Sequence, residues 1–251
     1  MQALSVVIIT FNEARNIGRC LESIHGIADE IVVLDSFSTD ETEAICKQYG
    51  ARFFQHAFDG HIEQKNRALT YARHPLVLSL DADEAPDETL KASILRAKHE
   101  SGIDGFRMNR LTYYCGTWIR HCGWYPDVKL RMWVAGKGQW QGTNPHDEYR
   151  LPAGSKVMHL KGDLLHYSYY SREDHLRQLD YFTGIASHAL FRQGKKVGLL
   201  KQWMSPVVRF LRDYVFQLGF LDGKAGFQVC RLSAYATWLK YHKLAKHWKS
   251  T

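Results

Sequence analysis

The chain has 251 residues, 45% hydrophobic and 24% charged with only six prolines, a folded protein's composition that excludes a disordered or low-complexity chain. Its formal charge of +7, with the 13 histidines counted neutral, leaves phosphate-rich partners open: nucleotides, nucleic acid or an anionic membrane face. Five scattered cysteines without a CxxC pair exclude a zinc ribbon and a disulfide framework, and no uncharged run approaches the ~20 residues of a spanning helix. The start "MQALSVVIITFNE" carries neither a basic leader nor a cleavage-like site, so a cytoplasmic protein is expected.

In chain order, "LSVVIITF" (4–11) reads as a buried strand. Asn12 is placed to cap the helix after it, where Ile17, Cys20, Leu21 and Ile24 recur at helical spacing. "EIVVLDS" (30–36) is a second strand, and "STDE" (38–41) matches a capping box opening a helix that ends near Gly50. "ARFFQH" (51–56) gives a third strand, 62–73 a helix, and "LVLSL" (76–80) a fourth strand. A helix over 87–100 and a strand over 105–110 come next. This alternation predicts an α/β fold, a mostly parallel sheet with helices on both faces. Ligands of such sheets bind beyond the strands' carboxyl ends, where Thr10–Asn12, Asp35, Asp81 and Asp83 all fall.

Asp81 and Asp83, one residue apart, can converge on a hard cation such as Mg²⁺ or Mn²⁺ that also bridges phosphates. The competing reading is a solvated turn in which Glu84 or Asp87 caps the next helix. Asp35 suits a ribose or base edge, and Asp40 either shares that role or is a first-turn helix acid. In "EQKNRAL" (63–69), Lys65, with Gln64 and Asn66, is placed to contact a nucleotide, or the stretch is a solvated helix face.

"SVVIITFNEARNIGRCLESI", "EIVVLDSFSTDETEAICKQYGA", "EQKNRAL" and "LVLSLDADE" resemble, in order and spacing, the family-2 glycosyltransferases. Through "NPHDEY" (144–149), "LLHYSYYSREDHLRQLDYF" (164–182) and "FLDGKAGF" (220–227) the chain resembles the bacterial lipopolysaccharide-core β-glucosyltransferase branch. The resemblance implies a Rossmann-like nucleotide-sugar glycosyltransferase fold of GT-A type, a nucleotide-diphosphate sugar donor and a divalent ion, Mg²⁺ or Mn²⁺. It puts Asp35 at the nucleoside and Asp81 and Asp83 at the family's Asp-x-Asp motif for the ribose and the metal–diphosphate. Thr10, Asn12, Glu13, Lys65 and Arg131 join Asp35 and Asp81 as donor-side candidates, and His166 joins Asp83 as a metal ligand or contacts the diphosphate. Asp147 falls on the family's general base, with Glu148 in reserve. One departure stands out: "DSFSTD" carries Ser36 and Phe37 where the family often has an acid and a glycine.

Trp118, Trp124, Trp133 and Trp140 suit either an acceptor wall or core packing. Lys129 and Arg131 share one side of the alternating stretch "VKLRMW" and could neutralise phosphate, while Asp174 and His175 belong to a following helix. In the tail, Val207, Val208, Leu211, Val215 and Leu218 trace an apolar stripe from which Arg209 and Arg212 diverge, and Lys240, Lys243, Lys246 and Lys249 recur every three residues. Two parts are expected: a catalytic domain over 1–194, and a basic amphipathic extension over 195–251 that lies on a membrane surface, contacts a second copy or caps the sheet.

The function expected is an inverting, metal-dependent transfer of a sugar, with glucose from UDP-glucose as the leading donor, to a lipopolysaccharide-core or other lipid-linked saccharide. The enzyme would work at the inner face of the cytoplasmic membrane, peripherally, and could form a homo-oligomer. A nucleotidyltransferase is the alternative enzyme, but its Gly-rich, Arg-containing loop is not what "TFNEARNIG" offers. A basic membrane- or nucleic-acid-binding module is the non-enzyme alternative, without any helix-turn-helix, zinc-finger or RNP pattern; no nucleic-acid partner is expected.

Overall fold

The β-branched run near the start of the chain forms β1 (Leu4–Thr10). In chain order α1 (Ile17–Ile24), β2 (Glu30–Asp35), α2 (Thr42–Gln48), β3 (Arg52–Gln55), α3 (His61–Leu69) and β4 (Leu76–Asp81) succeed it. The computed structural model describes residues 1–143 and 146–249. β2 and β4 flank β1 in parallel, β3 lies outside β2, and the register sets Thr10 beside Asp35 and Ile9 beside Asp81. The expected shared rim is therefore built by strand pairing.

Next come β5 (Glu84–Pro86), α4 (Glu88–Ala97), β6 (Gly105–Tyr114), β7 (Thr117–Ile119) and β8 (Asp127–Val134). β9 (Gln139–Thr143) and β10 (His146–Arg150) pair as an antiparallel hairpin, before β11 (Val157–Tyr169). Among the described residues the main sheet has nine strands in the order β3-β2-β1-β4-β8-β6-β11-β5, with β7 on β6. β8 joins the parallel block by running antiparallel to β4, but it pairs there only from Met132 to Val134. On its other side β8 pairs with β6 from Asp127 to Trp133, and β11 brings His166 opposite Glu84 of β5.

Both faces of the parallel block are covered. On one, Leu4, Val6, Ile8, Leu76, Leu78 and Leu80 meet Ile17, Cys20, Leu21 and Ile24 of α1 and Leu90 and Ile94 of α4. On the other, Val7, Val32, Leu34 and Val77 meet Ala68 of α3 together with Trp133, Trp140 and Tyr149. Each fully buried aliphatic side chain contributes about 1.5–3 kcal/mol, well above helix-propensity differences of under about 1 kcal/mol. Burial, not capping, sets these helices.

The caps bear that out. Asn12 does not cap α1: it sits in the left-handed region at φ 53°, the N-cap position is Asn16, and Asn12 Oδ1 accepts from Thr39 N at 2.8 Å. The Ser38–Glu41 capping box is not formed either, because Ser38 is spent on Asp35 and α2 starts at Thr42. α3 ends at Leu69, short of the expected 73. α4 is capped as one alternative expected, by Asp87: its Oδ1 accepts from Leu90 N at 2.7 Å and its Oδ2 from Asp163 N at 3.1 Å.

Met1–Arg110 with Asp127–Tyr167 form one compact unit, and Leu111–Pro126 with Ser168–Thr251 a second. The chain therefore divides elsewhere than at the expected 194/195 boundary. α5 (Arg172–Arg192) belongs with the C-terminal helices because it packs along α7 (Gly223–Lys249), which also packs on α6 (Leu199–Leu211). The second unit is centred on Tyr114, Ile119, Cys122, Val229 and Cys230. His175 of α5 is buried in it against Tyr114, Trp124 and Tyr169, and burial lowers its pKa to about 4.

Removing the Asp87 carboxylate strips both a helix cap and a strand contact. Asp87→Ala is expected to destabilise the protein by about 1–2 kcal/mol in urea unfolding.

Candidate active site

The end of β4 creates an electrostatic problem, since Asp81, Asp83 and Glu84 close a buried, mostly apolar strand. Unpaired, such a cluster would raise its own pKa values and cost several kcal/mol per buried charge. The fold answers with cations from two other elements. Lys65, on α3, sets Nζ 3.0 Å from Asp81 Oδ1, and Arg131, on β8, sets Nη2 2.8 Å from Asp81 Oδ2. Burial would raise the Asp81 pKa, but Lys65 and Arg131 overcome it and hold the carboxyl well below its ordinary range.

Glu84 completes this arrangement. Its side chain is fully buried, with Oε1 2.7 Å from Arg131 and 3.4 Å from Arg110, and Oε2 accepts from Asp81 N at 3.0 Å. Arg110 also grips Asp127 at 2.7 Å. Sequence reasoning misses this role: it offers Glu84 only as one of a repelling trio or as a cap, and does not single out Arg110. The available signal is that Arg110 closes the predicted 105–110 strand and Arg131 sits in the alternating stretch, two cations for the acids.

The same Lys65 reaches a second carboxylate, Asp147 Oδ2, at 2.8 Å. Asp147 comes from β10, and strand alternation turns it and Tyr149 inward while Glu148 and Arg150 turn outward. The Asp147 side chain is 12% exposed, whereas Glu148 is 60% exposed and bonded by Arg150 Nε at 2.6 Å. Asn66 holds the hairpin against α3, since its side chain accepts from Trp140 N and donates to Trp140 O, both at 2.9 Å. Tyr149 stacks on Trp133 with centroids 3.5 Å apart, and Trp140 stands edge-on to both rings. Trp133 and Trp140 are thus core residues, yet the Trp140 ring also faces Lys65 Nζ at 4.5 Å, a cation–π contact. Of "NPHDEY", Asn144, Pro145 and the His146 side chain lie outside the described residues.

A cavity of about 940 Å³ in the first unit opens over these groups. It is lined by Lys65, Asp81, Arg131, Trp140, Asp147 and Glu148, with Lys129 on the half of β8 that β4 leaves unpaired and Arg107 on the neighbouring β6. The structure thus brings together Lys65, Asp81, Arg131 and Asp147 from four separate stretches of sequence.

Asp83 and His166 form a neighbouring pair, with Nε2 3.2 Å from Oδ2. Burial raises the Asp83 pKa, and the contact with His166 more than reverses it. Among the described residues no group of three His, Cys, Asp or Glu side chains converges as a metal cage. Asp83 and His166 supply one carboxylate oxygen and one imidazole nitrogen at one point, which suits an ion that takes its remaining ligands from phosphate and water. Asp81 differs, since both its oxygens already serve cations.

The other donor-side candidates sit along the rim and do not line the cavity. Asp35 is fully buried: Oδ2 accepts from Ser38 N at 2.7 Å and from Gln55 at 3.3 Å, and Oδ1 accepts from the Ser38 hydroxyl. These bonds close a turn in which Phe37 takes φ 61°, where a glycine would be free of the roughly 1–2 kcal/mol that a side chain costs. That is the physical content of the departure in "DSFSTD". Gln64 bonds Ser36 at 3.0 Å, and Asp40 binds the amides of Ala14 and Thr42, each at 3.0 Å. Thr10 is buried, and its hydroxyl finds no hydrogen-bond partner among the described residues.

Glu13 is different again. Burial pushes its pKa up to about 7; the hydrogen bond from Asn16 at 2.7 Å opposes this, while Asp83, Asp40 and Asp81 add to it.

An α/β sheet with acids at its carboxyl rim, bridged by cations over a cavity, places polar groups where ligands of such sheets bind. The sequence model described as glycosyl transferase family 2 matches residues 5–195, and the chain belongs to that family. It is a glycosyltransferase, which sets aside the nucleotidyltransferase and non-catalytic alternatives. It is 30% identical over 237 residues to the lipopolysaccharide core biosynthesis glycosyltransferase LpsC of Rhizobium meliloti (strain 1021), covering 89% of this chain and 85% of that one. An uncharacterized glycosyltransferase of Rickettsia felis is 27% identical over 261 residues, 97% of this chain and 90% of its own length. Among solved structures, glucosyl-3-phosphoglycerate synthase from Mycobacterium tuberculosis with Mn²⁺ and UDP-glucose is 26% identical. The likeness is partial, covering 45% of this chain and 44% of its own at a TM-score of 0.37.

Glu13 sets a pH dependence. Its folded pKa lies above the ordinary 4.5, so between about pH 4.5 and 7 the folded state holds a proton that the unfolded state has lost, and stability falls as pH rises. Glu13→Gln removes that loss. The variant is expected to exceed wild type by on the order of 2 kcal/mol at pH 8 and to show no gain at pH 4, measured by urea unfolding at both pH values.

Proposed function

We propose that the protein is an inverting, metal-dependent transferase that moves a sugar from a nucleotide-diphosphate donor, UDP-glucose in the first instance, to a lipopolysaccharide-core or other lipid-linked saccharide. The observation that carries this reading is the Lys65 bridge, 3.0 Å to Asp81 and 2.8 Å to Asp147. By resemblance Asp81 belongs to the family's Asp-x-Asp motif and Asp147 to its base, two roles that must act on opposite ends of one glycosyl transfer.

Asp147 takes the proton of the acceptor hydroxyl as its oxygen bonds to the sugar's anomeric carbon, and the carbon–oxygen bond to the diphosphate breaks with its electron pair leaving on the nucleotide. Lys65 and Arg131 line the cavity and, held in place by the acids beside them, are the cations that stabilise the negative charge developing on the diphosphate. Asp83 and His166 would hold Mg²⁺ or Mn²⁺, which, when bound, neutralises charge on the leaving diphosphate. Thr10, Asn12, Glu13 and Asp35 form the nucleoside side, where Asp35 acts by shaping the turn at Phe37. Glu148 also lines the cavity but ranks behind Asp147 as the base, because its carboxylate is 60% exposed and held by Arg150.

A lipid-borne acceptor would place the enzyme at the inner face of the cytoplasmic membrane. Among the described residues no helix is long and apolar enough to cross one, so the contact proposed is peripheral.

Asp147→Asn is expected to lower turnover by about 10²–10⁴-fold while UDP affinity stays within about twofold, with Glu148→Gln near wild type. UDP release from UDP-glucose with truncated lipopolysaccharide core as acceptor, beside a UDP titration, checks this. Normal turnover in Asp147→Asn would remove the base from this position.

A further inference from the structure

α6 is amphipathic the wrong way round for a helix facing water. Its buried residue is Gln202, at 8% exposure, with Ser205, Pro206 and Arg209 partly covered beside it. Half-buried Phe210 also turns inward, while Leu199, Leu200, Trp203, Met204, Val207, Val208 and Leu211 turn outward together with Lys201, Leu200 at 78% and Trp203 at 62% exposed. The apolar surface continues past the helix into the turns over 212–222, where Phe216 is 80% exposed and Leu218, Phe220 and Leu221 are exposed too. Large apolar side chains exposed in such number along one stretch mark a surface that is covered in use.

The charge around it is one-sided. Residues 195–251 hold eleven Lys and Arg against two acids, a net +9 where the whole chain carries +7, so residues 1–194 are slightly negative. Both acids are spent internally: Asp213 is buried between Arg209 and Arg212, and Asp222 accepts from His121 N at 2.8 Å. Between α6 and α7 runs a groove of about 540 Å³ lined by apolar Leu200, Met204 and Val208 and by the cations Lys201, Arg209 and Lys240. A second copy docking the same face on itself would oppose like charges across the contact.

We propose that this α6 face, with the turns after it, inserts into an anionic phospholipid leaflet. Leu200, Trp203 and Phe216 enter the acyl boundary, and the groove's cations Lys201 and Lys240 take lipid phosphates. The surface rests on the lipid-borne-acceptor reading for its purpose, but vesicle binding measured without any nucleotide sugar succeeds or fails apart from the transfer chemistry.

Full-length protein is mixed with vesicles of equal parts phosphatidylethanolamine and phosphatidylglycerol, or of phosphatidylcholine alone, and sedimented. Binding to the anionic vesicles is expected to be roughly tenfold or more tighter, to weaken with salt, and to fall roughly tenfold in Trp203→Glu/Phe216→Glu. Hydrogen exchange on the wild type with and without vesicles reads the same surface should that variant not fold: protection concentrated over 199–221 supports the proposal. Absence of vesicle binding, binding unchanged in a folded variant, or protection elsewhere overturns it. So does a dimer seen by light scattering that persists on vesicles and dissolves in the variant, which would give the face to a second copy.

Discussion

Asp81 stands at the end of an apolar strand with both carboxylate oxygens claimed, one by Lys65 and the other by Arg131. Buried charges are tolerable only when paired and hydrogen-bonded, and removing one partner of such a pair typically costs about 3–5 kcal/mol. That constraint orders the rest of the first unit. Arg131 is itself balanced by Glu84, and Glu84 by Arg110, so β4, β5, β6 and β8 are tied at one point. Lys65 extends the network to Asp147 and fixes α3 and the β9–β10 hairpin around the cavity. Lys65 and Arg131, the groups proposed to stabilise a departing diphosphate, are also the groups that keep Asp81 charged.

Much of this can be read from the chain because its cause is local. β1, β2 and β4 are β-branched or leucine-rich runs that end in polar residues, and parallel pairing of such runs can only bring Thr10, Asp35 and Asp81 to one edge. Ile17, Cys20, Leu21 and Ile24 fall on one helix face, and all are buried as that spacing demands. The caps are less legible, because Asn12 and Ser38 each have several backbone groups in reach. In the fold Asn12 serves Thr39, and Ser38 serves Asp35, rather than the nearest helix.

The charge network is legible only in pieces. Nothing in "DADE" says that Glu84 is buried beneath Arg131, a residue 47 positions later, while Asp81 shares the same guanidinium. Asn66 passes for an exposed helix residue because its partner is the main chain of Trp140, 74 positions away, and side-chain-to-backbone contacts of that range leave no spacing to read. Asp147 and Glu148 are inseparable as adjacent acids until strand alternation turns one inward and the other to solvent. The tail's apolar stripe is visible in the sequence, but that α6 points it outward, with Gln202 inside, depends on the packing of α7.

The central claim is that this rim grips a nucleotide diphosphate together with a divalent ion. Calorimetric titration of the wild-type protein with UDP, once in Mn²⁺ and once in excess chelator, tests it most directly. Saturable one-to-one binding that weakens at least roughly tenfold without the ion is the predicted result. Equal affinity in both conditions, or no binding in either, would contradict the account.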